Sequence, residues 1–203
     1  TFLLFVLCVI HFTIRLWGLS GPSFWWDESF TWYASSDLPH VFSRVAADVH
    51  PPAYFLLVSV WKDLFGISEF SLRLPSVLFS TLTLVALLLH ARAATATGQA
   101  KLLVCVALMF SFLPYEIHLA RFARNYTMLM FVSSLFSYCF FRFVLSDKRR
   151  FFVGAIATGI MAVYTHHVAL IYVPVTLVSG VLVRFSLKKF VFTLILAGTI
   201  GGA

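Results

Sequence analysis

Apolar residues run through this chain in long blocks that do not alternate with polar ones, so each block reads as a helix rather than a strand. Blocks at 1–17, 74–91, 102–118, 127–145, 151–166, 168–183 and 190–203, the last truncated, predict about seven spans. The block 53–61, "AYFLLVSVW", is different, because Lys62 and Asp63 end it at once. It is too short to cross ~30 Å of hydrocarbon, and it predicts a helix lying in the membrane interface.

Composition sharpens this picture. The chain of 203 residues is 61% hydrophobic and 11% charged, with mean hydropathy +0.94. A soluble domain of this length has no way to bury so much apolar surface. The fold class expected is all-α: a polytopic transmembrane helical bundle with a long first external loop that contains interfacial helices. We take residues 1–203 as a single transmembrane module. Because the sequence starts and stops inside apolar runs, we expect it to be a fragment of a longer chain. Cys8, Cys105 and Cys139 all lie in apolar runs and show no metal-ligand spacing, so they read as small core residues.

The net charge of +7 does not indicate a nucleic-acid partner, because the basic residues sit at the ends of apolar runs and form no aromatic-laced basic face. They orient the chain instead. Arg142, Lys148, Arg149 and Arg150 flank one connection, Arg184, Lys188 and Lys189 another, and Arg92 and Lys101 a third. With those three cytoplasmic, the alternation is consistent only if residues 18–73 form one external loop. Asp27, Glu28, Asp37, Asp48, Asp63 and Glu69 then lie outside, Glu116 near the outer end of a span, and only Asp147 inside.

Four stretches on that outer side carry candidate chemistry. "SFWWDESFTWYASS" places Asp27 and Glu28 among Trp, Phe and Tyr just after the first span. This is either the usual aromatic belt around a solvated loop, or a general base at the membrane boundary. A helix from Trp26 onward points the two acids about 100° apart, so that one can face a cavity while the other orients a partner. "HPPAYF" starts a helix with Pro51 and Pro52, with His50 as a cap or a contact. In "PYEIHLARFARNY", Glu116, His118, Arg121, Arg124 and Tyr126 crowd a membrane edge. Continued as a helix, the stretch would put Glu116, Ala120 and Arg124 on one face, and Arg121 with Asn125 on another. In "YTHHVAL", His166 and His167 mark an external turn or line a cavity.

Together these motifs resemble the GT-C superfamily of membrane glycosyltransferases that use polyprenyl-phosphate sugars, such as protein O-mannosyltransferases and lipid A aminoarabinose transferases. The matching elements are Asp27–Glu28, His50-Pro51-Pro52, Phe65-Gly66-x-x-Glu69 leading to Arg73-Leu74-Pro75-Ser76, Arg124-x-Tyr126 and Thr165-His166-His167. Relatives often carry an acid two residues before the Arg of Arg-x-Tyr, where this chain has Phe122. The resemblance implies the N-terminal transmembrane module of that family, with Asp27 as the catalytic base and Glu28 beside it.

It further implies sugar transfer from a polyprenyl-phosphate donor to an acceptor hydroxyl, with inversion. Arg73, Arg121, Arg124, Tyr126, His50 and His166 are then the candidates for holding substrate or phosphate, since guanidinium matches phosphate geometry. No cofactor is expected. A divalent metal is not required, although the sequence leaves one open. The expected partners are the lipid-linked sugar, membrane lipids and an unknown acceptor. The expected place is a bacterial or archaeal plasma membrane or the ER membrane, with the site on the non-cytoplasmic face. Two other readings remain at this point: a non-catalytic GT-C-like scaffold in a larger membrane protein complex, and a lipid-phosphate binder or transporter.

Overall fold

The structure, a computed structural model, describes residues 2–48, 50–94, 100–183, 195–196 and 199–200. Among the described residues it is all-α. The helices are α1 (Phe2–Leu16), α2 (Trp26–Ala34), a 3-10 turn (Leu38–His40), α3 (Val41–Ala47), α4 (Ala53–Phe65), α5 (Glu69–Ala94), α6 (Ala100–Phe112), α7 (Pro114–Ala120), α8 (Tyr126–Ser146), α9 (Arg149–Thr165) and α10 (Ala169–Val183). The predicted span 190–203 and the basic connection from Arg184 to Lys189 lie largely outside the described residues.

Two helices, α5 with 26 residues and α8 with 21, are long and apolar enough to cross a membrane, and the α6–α7 pair makes a third if counted as one span bent by 63°. α1 and the first twelve residues of α10 are apolar but shorter. Large apolar side chains such as Met109, Ile171 and Phe5 are exposed on these helices, as lipid-facing surfaces require. Of the cysteines, Cys8 and Cys139 are half-buried, whereas Cys105 is exposed rather than in the core.

The chain divides into two compact units, residues 1–131 and 132–203, at a boundary within α8. In the first, α1, α5 and α6 pack together around Leu7, Leu84 and Ala107. The loop after α1 is not irregular: it folds as α2, the 3-10 turn, α3 and α4. Ala34, Val41, Val45 and Phe55 form one small core there. Tyr54 and Val58 of α4 join Leu72, Ala123 and Met128 in another. Helix α4 covers the predicted interfacial stretch and ends at Gly66, whose φ of +77° suits glycine. Its 13 residues reach only about 20 Å at ~1.5 Å per residue. In the second unit, Phe136, Phe140, Ala155, Val173 and Leu177 make the core.

The stretch read as one helix through Arg124 is broken twice. Pro114 lacks an N–H and restricts Leu113 to extended backbone, so α6 stops at Phe112 and the chain bends into α7. Helix α7 then ends at Ala120, and residues 121–125 form a turn. The predicted faces, Arg124 with Glu116 and Arg121 with Asn125, therefore do not exist. The break strands the Phe110 and Ser111 carbonyls, and Arg15 of α1 supplies their hydrogens, Nη2 to Phe110 O at 3.1 Å and Nη1 to Ser111 O at 3.2 Å. Arg15 is fully buried and also reaches Ser80 Oγ at 2.8 Å. His11, one turn earlier, is equally buried and bonds Ser111 Oγ at 3.2 Å.

Candidate functional site

Asp27 and Glu28 occupy the first turn of α2. The helical rotation between neighbours sends them to different places. Glu28 is fully buried. Its Oε1 accepts from Arg73 Nε at 2.7 Å and from the Ala123 N–H at 2.9 Å. Its Oε2 accepts from Arg73 Nη2 at 2.8 Å and from the Trp25 N–H at 3.1 Å, which closes the start of α2. Burial pushes the Glu28 carboxyl up, but the Arg73 bonds, the two backbone N–H groups and the Arg73 charge outweigh it and hold it below the ordinary carboxylate value.

Arg73 is also buried, in the second turn of α5. Its remaining donors go to the carbonyls of Leu19 at 2.8 Å, Pro22 at 2.9 Å and Ser23 at 3.2 Å. All five guanidinium N–H groups are thereby engaged. One ion pair thus ties the 18–23 turn, α2, α5 and the 121–125 turn together.

The Asp27 side chain is exposed and lines a cavity of about 720 Å³ with His50, Arg124, Tyr33, Arg44 and Asp48. Among the described residues its carboxylate has no hydrogen-bond partner. Arg124 is buried. Its Nη1 donates to the Asp27 carbonyl at 3.2 Å and its Nη2 to His50 Nε2 at 3.2 Å, while its Nε is buried with no acceptor. His50 faces Asp48 with Nδ1, at 2.8 Å from the backbone carbonyl and 3.1 Å from Oδ2. This pattern matches the tautomer with hydrogen on Nδ1 and a lone pair on Nε2. Phe30 and Phe55 hold the ring, with centroids at 5.5 and 5.9 Å.

The position of Arg124 is set from behind. Tyr54 is fully buried, and burial raises its phenol pKa well above the usual value. Its hydroxyl meets Ser76 Oγ at 3.1 Å, and Ser76 donates to the Arg124 carbonyl at 3.3 Å.

Asp27, His50 and Arg124 therefore share one cavity. Arg73 does not line it and holds Glu28 instead. Arg121 lines a separate cavity with Arg73 and His118. Tyr126 opens α8 and lines neither cavity. His166 belongs to the second unit, in the turn between α9 and α10, so the histidine pair marks a turn. Among the described residues, no three His, Cys, Asp or Glu side chains are grouped to hold a metal ion.

Four residues lie outside the site candidates that the motifs point to. Arg44 and Asp48 of the cavity wall look in sequence like ordinary loop charges. His11 and Arg15 lie four apart within the first apolar run, and that spacing on one helix face inside a membrane was the available signal.

The arrangement is an unpaired carboxylate and a buried guanidinium around one opening, on an all-α scaffold with membrane-spanning helices. Comparison with known families makes the chain an integral membrane glycosyltransferase of the GT-C type. The model of the family described as dolichyl-phosphate-mannose-protein mannosyltransferase matches residues 49–201, more than half of the chain, and the chain belongs to that family. The matched range begins after Asp27 and Glu28 and contains His50, Arg73, Arg121, Arg124, Tyr126 and His166. No curated protein and no solved structure matches the chain.

Proposed function

We propose that this chain transfers a sugar from a polyprenyl-phosphate donor to an acceptor hydroxyl on the non-cytoplasmic face of the membrane, with Asp27 as general base. The observation that carries the reading is the shared cavity: Asp27 offers it a carboxylate without an internal partner, and the buried Arg124 lines it with a guanidinium. The family's name supports a dolichyl-type lipid phosphate as donor and mannose as sugar.

The acceptor oxygen attacks the anomeric carbon as Asp27 takes its proton. The bond from that carbon to the phosphate oxygen breaks, its electron pair stays on the phosphate, and the growing charge meets Arg124. One displacement inverts the anomeric centre. Glu28 and Arg73 act through position, since both are consumed by each other and by backbone groups. His50 orients Arg124. No step calls for a cofactor.

The test is single-turnover sugar transfer in the full-length protein, with donor binding measured in parallel. Asp27→Asn keeps the shape of the side chain and accepts no proton, so transfer should fall about 10²–10⁴-fold with donor binding retained. Wild-type transfer by Asp27→Asn would remove Asp27 as the base.

A further inference from the structure

A second opening of the first unit, about 180 Å³, lies among Leu19, Trp25, Arg73, His118, Arg121 and Phe122. It shares no lining residue with the Asp27 cavity, and no carboxylate lines it. Two guanidinium groups reach it, in different states. Arg73 is saturated by Glu28 and by carbonyls. Arg121 makes a single hydrogen bond, Nη2 to the Ile14 carbonyl at 2.6 Å, and its Nε is buried with no acceptor. That bond anchors Arg121 to the end of α1 and leaves the rest of the fork for something else.

A buried cationic donor without an acceptor is costly, and an anion relieves the cost. The walls beside it are aromatic. The His118 ring meets Phe122 at 5.3 Å between centroids, and Phe122 meets Trp25 at 6.2 Å. The volume equals roughly six waters at ~30 Å³ each, enough for a phosphate with its ester oxygens. The opening sits on the turn that follows the first apolar helix, beside exposed Trp17 and Trp25, the residue type that favours the headgroup level of a membrane.

We infer that this cavity is a second phosphate site, one that takes the phosphate ester of a membrane lipid through Arg121 and His118, apart from the Asp27 cavity. The guanidinium fork suits two phosphate oxygens, and the imidazole suits a third. The inference does not rest on Asp27 being a base, since it concerns binding alone.

The experiment counts bound phosphate on the full-length protein by native mass spectrometry, with three probes: a polyprenyl monophosphate, phosphatidylglycerol and inorganic phosphate. Arg121→Gln, Arg121→Lys, His118→Leu and Arg124→Gln are compared with wild type. The expected result is one lipid phosphate lost in Arg121→Gln, at least tenfold weaker binding in His118→Leu, partial recovery in Arg121→Lys, and an Arg121-dependent lipid still bound in Arg124→Gln. Retention of the polyprenyl probe alone would mark the source as a lipid monophosphate, and retention of both lipids would mark headgroup phosphate in general. Unchanged stoichiometry in both Arg121→Gln and His118→Leu would overturn the site, as would Arg121-dependent binding of inorganic phosphate only. If Arg121→Gln and Arg124→Gln abolish the same single lipid, there is one phosphate site. That sinks this inference and leaves the proposed transfer reaction standing.

Discussion

Arg73 grips Glu28 with both arms of its guanidinium, at 2.7 and 2.8 Å, in a pair that is buried on both sides and closes 45 residues of chain. Breaking a buried pair from one side leaves an uncompensated charge, which typically costs about 3–5 kcal/mol. Glu28→Gln should lose stability on that scale in denaturant unfolding of the micelle-solubilised protein. A loss below about 1 kcal/mol, the level of an exposed pair, would mean that the pair does not brace the site.

The same pair sets a pH dependence. Glu28 has a folded pKa below its ordinary value of 4.5, so the unfolded chain binds the proton more readily. Stability from this group is present in full above pH ~4.5 and drains away as pH falls through the lower folded value. Wild-type unfolding temperature should fall on acidification below that point, and Glu28→Gln should lack this component. Identical acid profiles would show that Glu28 does not contribute to it.

Arg124 bears on the donor. Losing a charge-assisted contact costs roughly 1.5–3 kcal/mol, about ten- to hundredfold in affinity. Arg124→Ala should weaken binding of a polyprenyl-phosphate sugar by that factor. Arg124→Lys should recover part of it, since lysine keeps the charge and loses the fork. Wild-type affinity in Arg124→Ala would take Arg124 out of the site.

Arg15 repairs a helix break. Arg15→Leu removes the donors to the Phe110 and Ser111 carbonyls, and each buried group left unpaired costs about 1–3 kcal/mol. Thermal unfolding of Arg15→Leu in detergent should show a clear loss, whereas Arg15→Lys, which reaches one carbonyl, should lose less. Equal stability of wild type and Arg15→Leu would contradict the bracing role.

Topology has its own check. Single cysteines placed by Asp37→Cys and Asp147→Cys, in a background without Cys8, Cys105 and Cys139, should be labelled from opposite sides of the membrane. Labelling of both from one side would overturn the external placement of 18–73.

The features legible in the sequence are local ones. Long unbroken apolar blocks make helices in lipid because no other backbone can satisfy itself there, so the all-α membrane class was readable. So were the start of α2 at Trp26, the short α4 and its stop at Gly66, since each depends on a cap, a run length or a glycine within a few residues. Partner choice was not readable. Which of two adjacent acids turns inward depends on Arg73, 45 residues away, and on the Ala123 N–H, 95 residues away. The separation of Arg121 from Arg124 into different cavities depends on the turn at 121–125 and on an Ile14 carbonyl 107 residues distant. Arg15 looked like part of an ordinary span until the break at Pro114 stranded the carbonyls it serves. A buried donor or acceptor takes whichever partner packing brings within hydrogen-bond reach, and packing between distant segments leaves no periodicity in the chain to read.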